Sequence, residues 1–165
     1  MPGSIAAALI PELTMEAATA RKLLERLPVA QRDWTPHPKS FTLGKLATHV
    51  VQLIGWSADC ASTAELDVAN YPPPPDWGTT AELIAQLDAN LARSTAAIGA
   101  LADADFLVPW TLRAGNQVYF TMPRGQVIRS MCFNHAIHHR GQLSLYLRML
   151  DVPLPPMYGP TADER

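Results

Sequence analysis

Fifteen prolines, most lying outside four stretches of helical periodicity, constrain the fold of this chain more than any other feature. The first stretch runs from about Ile5 to Leu27, with Leu13, Ala17, Ala20, Leu23 and Leu24 recurring at helical spacing before Pro28 stops it. The second starts at Thr42, a good N-cap, and carries Leu43, Leu46, Val50, Leu53 and Ile54 along one face. The third opens at Thr79, which with Glu82 spells a capping box, and Leu83, Leu87, Leu91, Ile98 and Leu101 supply its apolar stripe. The fourth begins with Pro123 in a first-turn position and continues to about Leu150, ahead of Pro153.

Between the third and fourth stretches, Trp110-Thr-Leu-Arg and Gln117-Val-Tyr-Phe-Thr flank Ala114-Gly115-Asn116, the pattern of a short β-hairpin. The link from the second to the third stretch holds Pro72 to Pro75. An extended polyproline link covers ~3.1 Å per residue, so roughly a dozen residues can run the length of a long helix. The second and third helices can therefore lie parallel. These readings predict an all-α fold: a four-helix bundle with a long crossover between helices two and three and a small β-hairpin before helix four.

At 165 residues the chain fits a single domain, residues 1–165, large enough to bury a core. A composition 48% hydrophobic and 17% charged, with a formal net charge of -2, excludes a disordered chain. Lysines and arginines are scattered rather than clustered, so no nucleic-acid partner is expected. No apolar run approaches the ~18 residues of a membrane-spanning helix, and the start, Met1 to Leu13, lacks the basic segment of a signal peptide. Cys60 and Cys132 lie far apart in helical stretches and read as free thiols. The expected compartment is the cytoplasm, with no membrane partner.

Three of the five histidines crowd into Asn134-His135-Ala-Ile-His138-His139-Arg140-Gly141-Gln142. On an unbroken helix each residue advances about 100°, which leaves His135 and His139 about 40° apart. Counted from Val127, an inward arc of about 0° to 140° takes in Val127, Ile128, Met131, Gln142, Tyr146, Met149 and Leu150, and both histidines fall within it. Arg129, Arg140, Ser144 and Arg148 take the opposite side, and His138 lies at the edge of the stripe. Phe133 and Ile137, near about 240° and 280°, form a second apolar face. Such a face suggests a homodimer surface, the alternative being that helix one or the tail covers it.

Two imidazoles side by side in a core are costly unpaired and repel when protonated. A shared divalent metal removes both problems, and neutral imidazole suits zinc, nickel, copper and iron. No Glu stands between the pair, so the zinc-protease form is absent. His49, at the edge of the apolar face of helix two, can face the pair across the core, although alone it reads equally as a core histidine bonded to a carbonyl. Cys132, one turn before His135, is either a fourth ligand or a buried inert thiol. Gln142 is either a partner of a ligand or a boundary residue, and His37 reads as an exposed loop residue. Three protein ligands leave a fourth position open, the arrangement of a catalytic site.

These residues together resemble the DinB-like (YfiT-like) metalloenzyme superfamily of damage-inducible proteins. The likeness rests most specifically on His135-x-x-His138-His139-Arg140-Gly141-Gln142, with Tyr146-Leu-Arg148 after it. It extends to Trp34-Thr-Pro and Phe41-Thr-Leu-Gly-Lys-Leu before His49, and to the Val152-Pro-x-Pro tail ending in Tyr158-Gly-Pro. The resemblance implies an up-down-down-up bundle with a histidine-triad metal site, carried here onto His49, His135 and His139. It also implies homodimers and, among characterised members, S-transferases and isomerases that use a low-molecular-weight thiol.

The expected function is thus that of an enzyme with one divalent metal ion, zinc or nickel, transferring a thiol to a small-molecule substrate or isomerising one with thiol assistance. A metal-dependent hydrolase and a non-catalytic metal-binding stress-response protein are the competing classes. Asp59 and Glu65 are the nearest candidates for a carboxylate base in the hydrolase reading. The open position is expected at the end of the bundle where the proline-rich link and the hairpin meet, with Trp77, Tyr119 and Tyr158 as candidate specificity residues.

Overall fold

A computed structural model describes residues 3–164; the first two residues and the last of the expected domain lie outside the described residues. Helix α1 spans Ser4–Leu24, α2 spans Leu43–Ser62 and α3 spans Thr80–Gly99. The fourth helix is composite: α4, Arg124–Val127, then a π-helical segment, Ile128–Asn134, then α5, His135–Met149. Strands β1 (Glu65–Asp67), β2 (Pro109–Ala114) and β3 (Gln117–Pro123) make one small sheet. No helix among the described residues is long and apolar enough to cross a membrane.

The helix starts follow local chemistry. Thr42 accepts from the Lys45 amide at 3.2 Å, and Thr79 with Glu82 forms the reciprocal capping box. Between α2 and α3 a polar seam joins apolar faces. Ser94 Oγ donates to the Ile54 carbonyl at 2.7 Å and accepts from the Ala58 amide, while Asn90 donates to the Val51 carbonyl at 3.0 Å. Gly55 allows this approach, because a Cβ there would stand 2.8 Å from the Asn90 side chain. Leu46, Leu53, Leu83 and Ile98 fill the interior between these helices.

The expected hairpin is present, turning at Gly115 with a φ of 55°. A third strand joins it, since β1 pairs parallel to β2. Glu-Leu-Asp is too short to show an alternating pattern. Its pairing is held by Arg113, which bonds Glu65 at 2.6 Å and Asp67 at 2.7 Å.

The composite fourth helix departs from the unbroken wheel, and the π-helical segment explains how. Its i→i+5 bonding absorbs one extra residue, so every later position slips back by about one residue, or about 100°. Phe133, expected on a second outer face, moves from about 240° to about 140° and is 1% exposed. Arg140, expected outside, moves from about 220° to about 120° and is 3% exposed. Met149, expected inside, moves from about 40° to about 300° and is 52% exposed. Gln142 likewise turns to the exposed side. Phe133 therefore leaves the second apolar face, while Ile137 stays partly exposed. The same slip carries His135 and His139 to about 340° and 20°, the rim of the core rather than its middle.

Arg140, turned inward, forms an ion pair with the equally buried Glu16 of α1, and the Tyr158 hydroxyl of the C-terminal tail bonds both partners. Arg140 also donates to the Glu16 carbonyl at 3.1 Å. Removing one partner of such a pair leaves the other charge buried and uncompensated. Arg140→Ala should therefore destabilise the fold by about 3–5 kcal/mol, whereas the paired replacement Arg140→Met with Glu16→Leu should cost much less. Urea unfolding of the three proteins measures the difference, and equal losses would show that the pair does not act as a unit.

Candidate metal centre

His49 comes from the second turn of α2, while His135 and His139 come from the first and second turns of α5. One ligating nitrogen from each lies within 4.8 Å of the other two, the only such group of His, Cys, Asp or Glu gathered among the described residues. Ring centroids are 5.2 Å apart for His49 and His135, 4.7 Å for His49 and His139, and 4.6 Å for His135 and His139. All three are half-buried, as a rim position dictates.

The hydrogen bonds decide which nitrogens face inward. His139 Nδ1 lies 2.8 Å from Gln142 Oε1, an oxygen that only accepts, so Nδ1 carries the proton and Nε2 presents a lone pair. That Nε2 faces His135 Nε2 at 2.8 Å. Without a cation, His135 must donate from Nε2, which leaves a bare lone pair on its Nδ1. That Nδ1 is buried, makes no hydrogen bond of normal geometry, and faces the Met131 carbonyl. A cation on the Nε2 side reverses the tautomer, putting a proton on Nδ1 toward Met131. The donor set therefore fits a divalent metal better than it fits three histidines alone.

Burial pushes the His49 imidazole down to about 4, and the neighbouring His139 and His135 lower it further while Gln52 opposes them. Burial likewise lowers His135 and His139. All three are neutral near pH 7 and ready to ligate. Gln52 stands three residues after His49 as Gln142 stands three after His139, so each helix repeats His-x-x-Gln. That repeat is the signal by which Gln52 is legible in the sequence.

Two cavities adjoin the triad, one through His49 and the other through His139, while His135 lines neither. One of about 610 Å³ is lined by Lys45, Thr48, His49, Gln52 and Trp77, and one of about 290 Å³ by Lys39, His139, Gln142 and Tyr146. Phe41 lines both, its ring centroid 5.8 Å from that of His49 and 6.1 Å from that of His139. The proline-rich link reaches the larger cavity through Pro74 and Pro75, but the hairpin lines neither. Trp77 is buried there, donating to Thr48 Oγ1 at 2.8 Å beneath the Arg32 guanidinium. Tyr119 is exposed on β3 and Tyr158 is committed to Glu16, so neither reaches the site.

The other candidates lie elsewhere. Cys132 faces Cys60 with sulfurs 3.8 Å apart, and the bond between them together with burial raises the Cys60 thiol far above its usual range. Both remain inert core thiols. Asp59 accepts from Tyr71 at 2.7 Å and from Arg93 at 2.5 Å, and Glu65 is held by Arg113. His37 and His138 are exposed.

The model of the DinB superfamily matches residues 12–143 of this sequence. The chain belongs to the DinB superfamily. An uncharacterised protein of Bacillus subtilis (strain 168), YrdA, is 29% identical over 154 residues, spanning 90% of this chain and 85% of that protein. Among solved structures, the DinB-like protein YjoA of Bacillus subtilis superposes with a TM-score of 0.72 at 14% identity, covering 92% of this chain and 99% of that one. A DinB-like protein of Bacillus cereus ATCC 10987 gives a TM-score of 0.65 at 22% identity, covering 90% and 94%. At these identities the two structures establish a shared fold for this DinB chain.

Depressed imidazole pKa values link folding to pH. The unfolded chain takes up protons near the ordinary value of 6.5, whereas the folded His49 resists them until about 4. More protons on the unfolded state means that stability falls as pH drops through that window and levels off above it. Metal-free protein should thus lose stability between about pH 6.5 and 4, and His49→Gln should flatten most of that slope. Urea midpoints across this range test it, an unchanged slope in the variant counting against the assignment.

Proposed function

We propose that this DinB protein is an enzyme that holds one divalent metal ion, zinc or nickel, on His49, His135 and His139 and activates a low-molecular-weight thiol for transfer to an electrophilic small molecule. The observation carrying this reading is the convergence of three neutral imidazoles beside two open cavities, which leaves room for two reactants beside one cation. A cation held there supplies Lewis acidity, lowering the pKa of a thiol at its open position so that thiolate is present at neutral pH.

The remaining work falls to the chain's own residues. Gln142 holds the His139 proton on Nδ1, and Gln52 stands beside His49 as a hydrogen-bond partner that opposes the lowering of its pKa. Phe41, itself half exposed, sets an apolar ring beside His49 and His139 and borders both cavities. Asp59 and Glu65 are each engaged by arginine, which disfavours a carboxylate-assisted hydrolase. The reading places the protein in the cytoplasm and takes the helices as running up, down, down, up. It includes a homodimer, for which Leu145 and Met149, both outward on α5, are the apolar surface available.

Protein purified without an affinity tag should carry about one equivalent of metal by elemental analysis. His49→Ala and His139→Ala, folded by circular dichroism, should lose it, while His138→Ala should retain it. Metal-loaded protein should conjugate a chlorobimane probe with small thiols, and His135→Ala should not. Metal-dependent ester or amide cleavage without any thiol conjugation would select the hydrolase instead.

A further inference from the structure

Cationic side chains in this protein are almost all neutralised or bonded. Eight described arginines make ion pairs, and Arg124 donates to the carbonyls of Asp105 and Thr63. Lys22 donates to the Pro156 carbonyl at 3.1 Å. Among the described residues only the ammonium groups of Lys39 and Lys45 have no ionic or hydrogen-bonded partner. Both flank the triad, Lys45 lining the larger cavity and Lys39 the smaller. Such a distribution is what a site does when it reserves positive charge for an anionic ligand.

The two lysines are not equivalent. Both are exposed, but Lys39 belongs to a turn, whereas Lys45 stands on the first turn of α2, one helical turn before His49 on the same face. A group on a helix is held more closely than one on a loop. The acidic residues of the same cavity do not cancel Lys45: Asp76 bonds Arg32 at 2.8 Å, and the field of Asp33 also acts on Arg32. The negative charge gathers at the Arg32 end, leaving the His49 end positive. One helical turn amounts to a rise of about 6 Å over four residues, the span of a sulfur and a carboxylate separated by a short alkyl chain.

We propose that the thiol taken by this site carries a carboxylate and that Lys45 is the specificity residue holding it, with the sulfur directed at the histidine triad and Lys39 adding only to the field. This inference rests on the thiol-transfer reading and adds the charge class of the thiol. It involves binding alone and moves no electrons.

The test uses cobalt(II)-loaded protein and two probes of matched length, mercaptopropionate and mercaptopropanol, with binding followed by the thiolate-to-cobalt absorption band. The parent protein should bind the carboxylate about three- to fivefold more tightly than the alcohol, as expected for one exposed charge-assisted contact. Lys45→Gln should bring the two to near parity by weakening only the carboxylate, Lys45→Arg should restore the preference, and Lys39→Gln should shift the ratio less than about twofold. Added salt should erode the preference in the parent protein and not in Lys45→Gln. Equal binding of both probes by the parent, or a ratio unchanged by Lys45→Gln, overturns the assignment while leaving thiol activation intact. Absence of the band with either probe overturns the thiol reading itself, and this inference with it.

Discussion

One extra residue in a helical turn governs the layout of this molecule. The π-helical segment Ile128–Asn134 rotates everything after it by about one position, and three consequences follow from that single slip. Arg140 turns inward to reach Glu16, Phe133 enters the core, and His135 and His139 are carried to its rim. On an unbroken helix the two histidines would point into the middle of the core, where a cation would be shut away from any substrate. The slip keeps their spacing and changes their address. The α5 histidines thereby meet His49 at a surface that opens onto both cavities.

The triad is incomplete as a purely organic cluster. Gln142 fixes His139, His139 fixes His135, and His135 is left with an unsatisfied buried nitrogen opposite the Met131 carbonyl. A buried polar atom without a partner costs on the order of 1–3 kcal/mol, and the lowered imidazole pKa values show that protonation is no cheap escape. Arg140, immediately after His139, anchors the same helix to α1 and to the tail.

Much of this was legible in the sequence, and the parts that were not have physical reasons. Thr42, Thr79 and Glu82 announce their helices because capping depends on residues within one turn. The histidine pair survives the wheel error because His135 and His139 share a face whatever the rotation. The outward assignment of Arg140 and Phe133 failed because nothing in Ile128–Asn134 marks it for i→i+5 bonding; the burial of distant partners selects it. Strand β1 escaped for a similar reason, since three residues held by Arg113 carry no periodicity of their own. Phe41 becomes a functional candidate only once the cavities are visible, whereas Gln52 is marked by the repeated His-x-x-Gln.

Helix α2 shows how stability and specificity are divided. Its α3 side carries Gly55 and the carbonyls of Val51 and Ile54, committed to a close seam with Asn90 and Ser94 that admits almost no substitution. Another face carries Lys45, His49 and Gln52 at intervals of about one turn, lining the larger cavity. Residues on that face make few contacts that the core requires. Changes there can alter what the cavity accepts without loosening the seam, which makes it the place where proteins of this fold can diverge in substrate while keeping their helices.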